Sequence, residues 1–383
     1  MTQDKKKNKK VFVMMSGGVD SSVAALLLKN QGYDVVGVFM RCFNLDGCAE
    51  RDAEDARRVA EKLKIPFYSW DFEKEYKNKV VEYMIDGYKN GLTPNPDIMC
   101  NKEIKFGLFL DKALKMGADY VATGHYVKIK KSIRRLADKN QNNNSGYKTI
   151  YKLLQAKDKN KDQSYFLWTL TQKQLKHCLF PIGDYLKPEV REIARKAGLP
   201  TAEKKDSQGI CFLGKITLAD FLAEYMPQKK GPILLAPRNT TGSIKHEKIG
   251  EHKGAYFYTI GQRHLNIAKR KAQSANNKPL YVAEKNIKTN ALIVTEGSDN
   301  PALYKKEICL QNVNFINPQL MVDNLRQIFV KVRYRQPLIP ANFIIHNSKF
   351  IIQFNSPVKF VAPGQSAVFY GKNGEMLGGG IIV

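Results

Sequence analysis

The sequence predicts a doubly wound α/β domain built on a parallel sheet, then a small mixed central domain, then a C-terminal β-barrel. Three observations predict this. Residues 10–200 alternate short apolar strand patterns with helical ones. The texture changes near residue 214, and from about residue 291 nearly every segment reads as a strand. The expected limits are 1–213, 214–290 and 291–383, and 383 residues suffice for two or three cores.

The elements follow in order. "VFVMM" (11–15) is a short buried strand. Val23, Ala24, Leu27 and Leu28 then fall at helical spacing, and Gly32 marks the helix end. "DVVGVFM" (34–40) is a second strand, "ERDAEDARRVAEKL" (50–63) a helix and "IPFYSWDF" (65–72) a strand. A helix is expected from Glu103 to Met116, followed by a strand in "ADYVATGHY" (118–126). Residues 130–150 are polar and irregular and read as a disordered hairpin tip. "PEVREIARKAG" (188–198) is a helix opened by proline and closed by glycine. "TLADFLAEYM" (217–226) is a short capped helix. "NALIVTE", "QIFVKVRYRQ", "KFIIQF" and "SAVFYGKNGEMLGGGIIV" supply the terminal strands, with a hairpin turn at Asn373-Gly374. Ligands of doubly wound sheets bind beyond the carboxyl ends of strands. Gly17, Gly18, Met40 and Gly124 all fall there.

Lys plus Arg total 62 against 36 for Asp plus Glu, a net charge of +26. That surplus points to a polyanionic partner, nucleic acid first, although Lys- and Asn-rich stretches also fit a generally basic proteome. No apolar stretch is long enough to span a bilayer, so no membrane partner is expected. The start "MTQDKKKNKK" lacks the apolar core of a signal peptide, which points to the cytoplasm. Six cysteines are too few for a disulfide scaffold, and no Cys-x-x-Cys or Cys/His cluster suggests a metal site.

The turn between the first strand and helix reads Ser16-Gly17-Gly18-Val19-Asp20-Ser21-Ser22. Glycine permits unusual backbone angles and close approach of a ligand. A helix N-terminus presents unpaired N–H groups and a positive dipole end, and Ser16, Ser21 and Ser22 add hydroxyls. The segment reads as a phosphate cradle, with an ordinary strand-to-helix turn as the simpler alternative. It lacks the lysine of the nucleotide P-loop and the spacing of the dinucleotide fingerprint. It resembles the pyrophosphate loop of ATP pyrophosphatases, which cleave ATP to AMP and pyrophosphate.

Two cysteines stand in unusual surroundings. In "GLTPNPDIMCNKEIKFG" (91–107), Pro94 and Pro96 suggest a stiff loop. Asn101 or Asp97 would cap the next helix, leaving Cys100 within a turn of its N-terminus beside Lys102 and Lys105. The helix end and the two lysines both favour thiolate, and Asp97 is near enough to exchange protons. The segment also reads as a surface loop whose cysteine is incidental. In "KKDSQGICFLG" (204–214), Cys211 lies between two glycines, as in a mobile loop or a small packed core.

Taken together, "SGGVDSS", "LTPNPDIMCNKEIKFG", "ATGHY", "KDQSYFL", "DSQGICFLG", "GQRHLNI", "VRYRQ" and "APGQSAVFY" resemble the tRNA-specific 2-thiouridylase family, in family order from about residue 10 to the C-terminus. The resemblance implies replacement of the 2-oxygen of the wobble uridine by sulfur in tRNAs for lysine, glutamate and glutamine. ATP, with Mg2+ as its counterion, would adenylate that oxygen, and a sulfur-carrier protein would deliver a persulfide. By the same resemblance Cys211 carries the persulfide, Cys100 is the nucleophile that closes a Cys100–Cys211 disulfide, and Asp97 handles protons at the base. Met14, Met15, Ser16, Gly17, Gly18, Val19, Asp20, Ser21, Met40 and Gly124 would hold ATP. Asn95, Pro96, Asp97, His125, Lys161, Asp162, Gln163, Arg333, Tyr334, Arg335, Gln336 and Gln365 would meet tRNA. Two other readings compete. A small-molecule ATP pyrophosphatase ligase leaves Cys100, Cys211 and the basic C-terminal part unexplained. A noncatalytic RNA-binding protein leaves the intact phosphate loop unexplained.

Overall fold

In a computed structural model, which describes residues 8–43, 47–135, 147–206, 216–236, 246–263, 265, 278–321 and 327–383, the strands up to residue 179 are β1 (Lys10–Met14), β2 (Asp34–Arg41), β3 (Phe67–Asp71), β4 (Tyr120–Ala122), β5 (Val127–Arg135), β6 (Tyr147–Gln155) and β7 (Cys178–Leu179). Five of these form a parallel sheet in the order β3-β2-β1-β4-β7. Its central strand is apolar and buried from Val11 to Met14 because both faces are covered there. Phe12 and Met14 enter one core while Val11, Val13 and Met15 enter the other, the period-two alternation of a strand. β1 pairs β2 on one side and β4 on the other. The order reverses between β1 and β4, and a crevice opens at their carboxyl ends.

The helices α1 (Val19–Asn30) and α2 (Cys48–Lys62) follow β1 and β2. The strand expected over 118–126 contracts to Tyr120–Ala122, so Gly124 and His125 lie beyond its end. The expected helix 103–116 begins seven residues earlier. Pro96–Met99 runs directly into wider π-type turns over Cys100–Phe109 and then α-helix over Leu110–Lys115. Pro96 therefore opens a helix rather than stiffening a loop, at the first helical position where its missing N–H costs nothing.

Two further departures reach across the expected domain limits. The middle sheet contains β8 (Gly231–Leu235), β9 (Glu247–His252), β10 (Leu280–Asn286) and β11 (Ala291–Glu296), in the order β10-β11-β8-β9. Residues 291–296, expected to start the barrel, thus belong to the middle sheet, where a tight turn at Asn290 (φ 50°) folds them back on β10. The second departure is in 130–150, where residues 130–135 and 147–150 are paired strand; 136–146 lie outside the described residues.

The C-terminal strands are β12 (Tyr304–Phe315), β13 (Ile328–Lys331), β14 (Ile339–His346), β15 (Lys349–Lys359), β16 (Ser366–Tyr370) and β17 (Glu375–Ile382). They run in the order β12-β15-β14-β13-β16-β17, and pairing of β12 with β17 closes them into an antiparallel barrel. The hairpin β5–β6 then adds to β17 through Leu153↔Met376 and Leu154↔Glu375. The barrel has its own core, including Ile328, Val330, Ile352, Phe354 and Phe369. "VRYRQ" is not strand. β13 ends at Lys331, and Arg333–Gln336 form a turn with Arg335 at φ 66°.

Candidate active site

The chain leaves β1 into a glycine turn whose shape is dictated by contact. Gly17 has φ 71°, and a Cβ there would lie 2.2 Å from the Asp52 carbonyl oxygen on α2. Gly18 precedes α1 with extended angles and no side chain closing the helix. The Ser21 hydroxyl accepts from the Ser16 amide (3.2 Å) and donates to the Gly18 carbonyl (3.1 Å). Across the crevice, a Cβ on Gly124 would fall 2.6 Å from the Ser21 nitrogen and 2.7 Å from the Asp20 carbonyl carbon. Gly124 therefore lets backbone close on the uncapped N-terminus of α1 while Gly17 lets the turn close on α2, an arrangement suited to an anion. Ser22 departs from expectation. It is fully buried, donates to the Gly18 carbonyl (2.8 Å) and accepts from Thr201 (2.9 Å), so it braces the turn instead of facing a ligand. Val19 also packs inward.

A cavity of about 330 Å³ opens at this point, within the usual size of small-molecule sites. Met14, Met15, Ser16, Asp20 and Ser21 line it from the end of β1 and the turn, Met40, Gly124 and His125 from neighbouring strand ends, and Gln163 from the turn before Ser164. Cys100 and Lys105 line it from the helix beginning at Pro96, with Cys42, Asp52, Tyr76 and Thr123 alongside. Cys100 and Lys105 thus share a wall with the glycine turn.

The helix cap beside Cys100 is Asn95, not Asn101 or Asp97. The Asn95 Oδ1 accepts from the amides of Asp97 (3.1 Å) and Ile98 (3.2 Å). Cys100 lies beyond the first turn and is 4% exposed, so the bare helix end does not act on it as anticipated. The Asn101 amide instead donates to the Phe166 carbonyl (3.2 Å). Burial pushes the Asp97 carboxyl up, and the nearby Lys105 charge pulls partly against it. Burial likewise holds His125 well below the ordinary imidazole value, helped by Lys105. His125 is therefore neutral near pH 7. Its Nδ1 shares a hydrogen bond with Thr123 Oγ1 (2.8 Å), and its ring packs against both Phe106 and Phe180.

One residue central to the site is missing from the sequence reading. Lys187, 8% exposed, grips both oxygens of Asp20 at 2.7 and 2.8 Å and reaches Asp206 at 2.9 Å. The Tyr126 hydroxyl donates to the same Asp20 (2.8 Å). Asp206 also receives Lys161 (2.7 Å) and Arg191 (2.8 Å). Burial opposes its ionisation, but the Lys161 and Lys187 ammoniums hold its carboxyl down to about 2. A signal was present. Lys187 is the first residue of the helix Lys187–Lys196, where a cation opposes the helix dipole and so demands carboxylates. Asp206 is the last described residue before the 207–215 segment, and Cys211 lies outside the described residues. Cys42, Cys100, Cys178 and Cys309 stand as thiols.

The remaining candidates divide. Asp162 faces inward, 3% exposed. It accepts from the Ala156 amide (3.0 Å), Gln155 (3.1 Å) and Ser164 (3.0 Å), and pairs with Lys331 of the barrel at 3.4 Å. Its carboxylate works within the fold, since a buried charge must be paired. Lys161 is engaged by Asp206, and the Gln163 side chain accepts from the Tyr126 amide (2.9 Å). Arg333 is half-buried, donates to the Ile260 carbonyl and lies over Phe360. Gln336 accepts from the Val332 amide, whereas Arg335 is exposed. Two contacts carry this group toward Cys100. Tyr334 packs on Phe166 (4.5 Å), which holds Asn101, and Gln365 donates to the Thr93 carbonyl (2.9 Å), two residues before Asn95. Among the described residues no cluster of three His, Cys, Asp or Glu side chains could hold a metal, and no helix is long and apolar enough to cross a membrane.

Three family models match the chain: a tRNA methyl transferase HUP domain over 9–215, a tRNA methyl transferase PRC-barrel domain over 219–296 and an aminomethyltransferase beta-barrel domain over 305–382. The chain is 45% identical to the tRNA-specific 2-thiouridylase MnmA of Lacticaseibacillus paracasei over 98% of its own length and 94% of that protein. It is 45% identical to that of Proteus mirabilis over 98% and 97%, and 45% identical to a 2-thiouridylase of Geobacillus kaustophilus over 98% and 96%.

Proposed function

The chain belongs to the tRNA-specific 2-thiouridylase family and is a tRNA-uridine sulfurtransferase, and from that premise we propose how its residues carry out the thiolation. The observation that carries the proposal is one cavity walled by both an uncapped glycine turn and the Cys100 thiol. ATP fits the turn: Gly17 and Gly124 let backbone pack where any side chain would collide, which keeps the turn tight, and the first N–H groups of α1 suit its phosphates. Mg2+ would arrive on those phosphates. Lys187 fixes Asp20 and Tyr126 supports it, so the loop is set before the nucleotide binds.

Adenylation of the uracil 2-oxygen turns a poor leaving group into a good one and releases pyrophosphate. A persulfide on Cys211 then attacks carbon 2, and AMP departs. Cys100 attacks the inner Cys211 sulfur. The S–S bond breaks, its outer sulfur stays on the base as the thiocarbonyl, and a Cys100–Cys211 disulfide forms that an external thiol must reduce. Asp97, whose raised carboxyl exchanges protons closer to neutral pH, serves the base. Neutral His125, with Asn95, Pro96 and Gln163, would bound the pocket for the uridine. Such a base must leave its stack to reach these groups. Arg333, Tyr334, Arg335, Gln336, Gln365 and Lys161 would meet the wobble-position arm of lysine, glutamate or glutamine tRNA, and a persulfide carrier would recharge Cys211. Incubation with ATP, a persulfide donor and unmodified tRNA tests the whole scheme. It should yield 2-thiouridine, AMP and pyrophosphate; release of ADP and phosphate would sink it.

A further inference from the structure

The hairpin β5–β6 has no part in the chemistry above. Its two nine-residue strands contain no Asp or Glu, while Lys128, Lys130, Lys131, Arg134, Lys148 and Lys152 line them. The register sets Arg134 directly opposite Lys148 and Lys130 opposite Lys152, like-charge pairs that destabilise an isolated ribbon. Lys152 reaches Glu375 (2.8 Å) and Lys128 reaches Asp184 (3.8 Å). Among the described residues no carboxylate pairs with Lys130, Lys131, Arg134 or Lys148, and Arg134 meets only the Gln319 carboxamide (3.3 Å). Ile133 and Tyr147 are 68% and 71% exposed on the same ribbon. Val127 begins it two residues after His125 of the cavity wall, and at about 3.4 Å per residue it extends some 27 Å from there.

We propose that this ribbon is a second RNA-binding surface, which grips the phosphate backbone of the substrate tRNA outside the anticodon arm whose base enters the cavity. The inference rests on tRNA being the substrate. Unpaired like charges on a rigid ribbon gain by meeting a polyanion, and counterion release makes that gain salt-dependent. The contact is independent of sequence, since lysines and arginines met by phosphates read no base.

The test compares wild type with K130E/R134E/K148E on full-length tRNA and on an isolated anticodon stem-loop across a salt series. The triple reversal should weaken full-length tRNA binding at low salt at least tenfold and lower the salt slope by about two to three units. Stem-loop binding should be unchanged. A charge-preserving K130R/R134K/K148R chain should bind like wild type, and matching thermal unfolding midpoints exclude misfolding. Equal losses on both RNAs, or no loss on either, would overturn the proposal. Failure of wild type to thiolate a tRNA that it binds would overturn the chemistry while leaving this surface intact. Absence of any tRNA binding would overturn both.

Discussion

α1 begins at Gly18 with no side chain closing its first turn, whereas the helix carrying Cys100 begins at Asn95, whose carboxamide closes two N–H groups. The first turn of α1 lines the cavity directly, and the other helix lines it from Cys100 onward. The difference separates their tasks. The open start, with Gly124 packed against its backbone and Gly17 against α2, has donors left for an external anion. The capped start has used its donors internally and is a rigid support, which places Cys100 and Lys105 on the wall beyond it. A helix N-terminus is a binding site only where the fold withholds the cap.

The strongest way to separate the two is Cys100→Ser. Thiolation should become undetectable while one round of tRNA-dependent AMP release persists, and mass spectrometry after that turnover should find the tRNA base held to Cys211 through the transferred sulfur. A wild-type disulfide to Cys42 instead would move the sulfur chemistry to another cysteine of the same cavity. On the open start, Gly124→Val drives side-chain atoms into the backbone of Asp20 and Ser21. A misplacement of that kind should lower pyrophosphate release about 10²-fold, with stem-loop affinity retained.

Gly18→Asp sharpens the comparison by converting the open start into a capped one. Gly18 already has extended angles, and its Cβ would meet only Ser16 Oγ at 3.5 Å. Stability should change by a few tenths of a kcal/mol at most, while KM for ATP rises roughly tenfold or more as the new carboxylate competes with phosphate. Asn95→Ala does the reverse at the capped start. It should cost about 1 kcal/mol in denaturant unfolding and leave KM for ATP unchanged. The smallest effect concerns Asp97. Burial raises its folded carboxyl above the ordinary 3.8, so the folded state holds the proton more tightly than the unfolded chain. Its ionisation therefore costs stability as pH rises from 3.8 through the raised value. Asp97→Asn should remove that slope from a pH series of unfolding measurements; an unchanged slope would show that another group sets it.

Much of this was legible locally. The alternation of β1, α1, β2, α2 and β3 follows from apolar period and from Gly17, Gly18 and Gly32, because strands and helices impose periods on their own residues. Thr217 was recognisable as a cap, and its hydroxyl accepts from the Asp220 amide. Asn95 was passed over because two later polar residues offered the same chemistry; Pro96, favoured at the first helical position, was the overlooked marker. Ser22 was misread because a hydroxyl in a cradle motif does not announce which side of the helix it faces.

By itself, the sequence determined the parallel-sheet architecture, the glycine turn after β1 and the cysteine-bearing segment before Lys105, since each rests on neighbours a few residues apart. Tertiary structure alone decided that Lys187 secures Asp20 across 167 positions of chain, that Asp162 is buried against Lys331, and that the paired strands β5 and β6 extend the barrel sheet. Spacing along the chain carries no record of these pairings. They arise when the strand order β3-β2-β1-β4-β7 and the closure of β12 on β17 bring distant segments together, and a buried charge then takes the partner that topology places beside it.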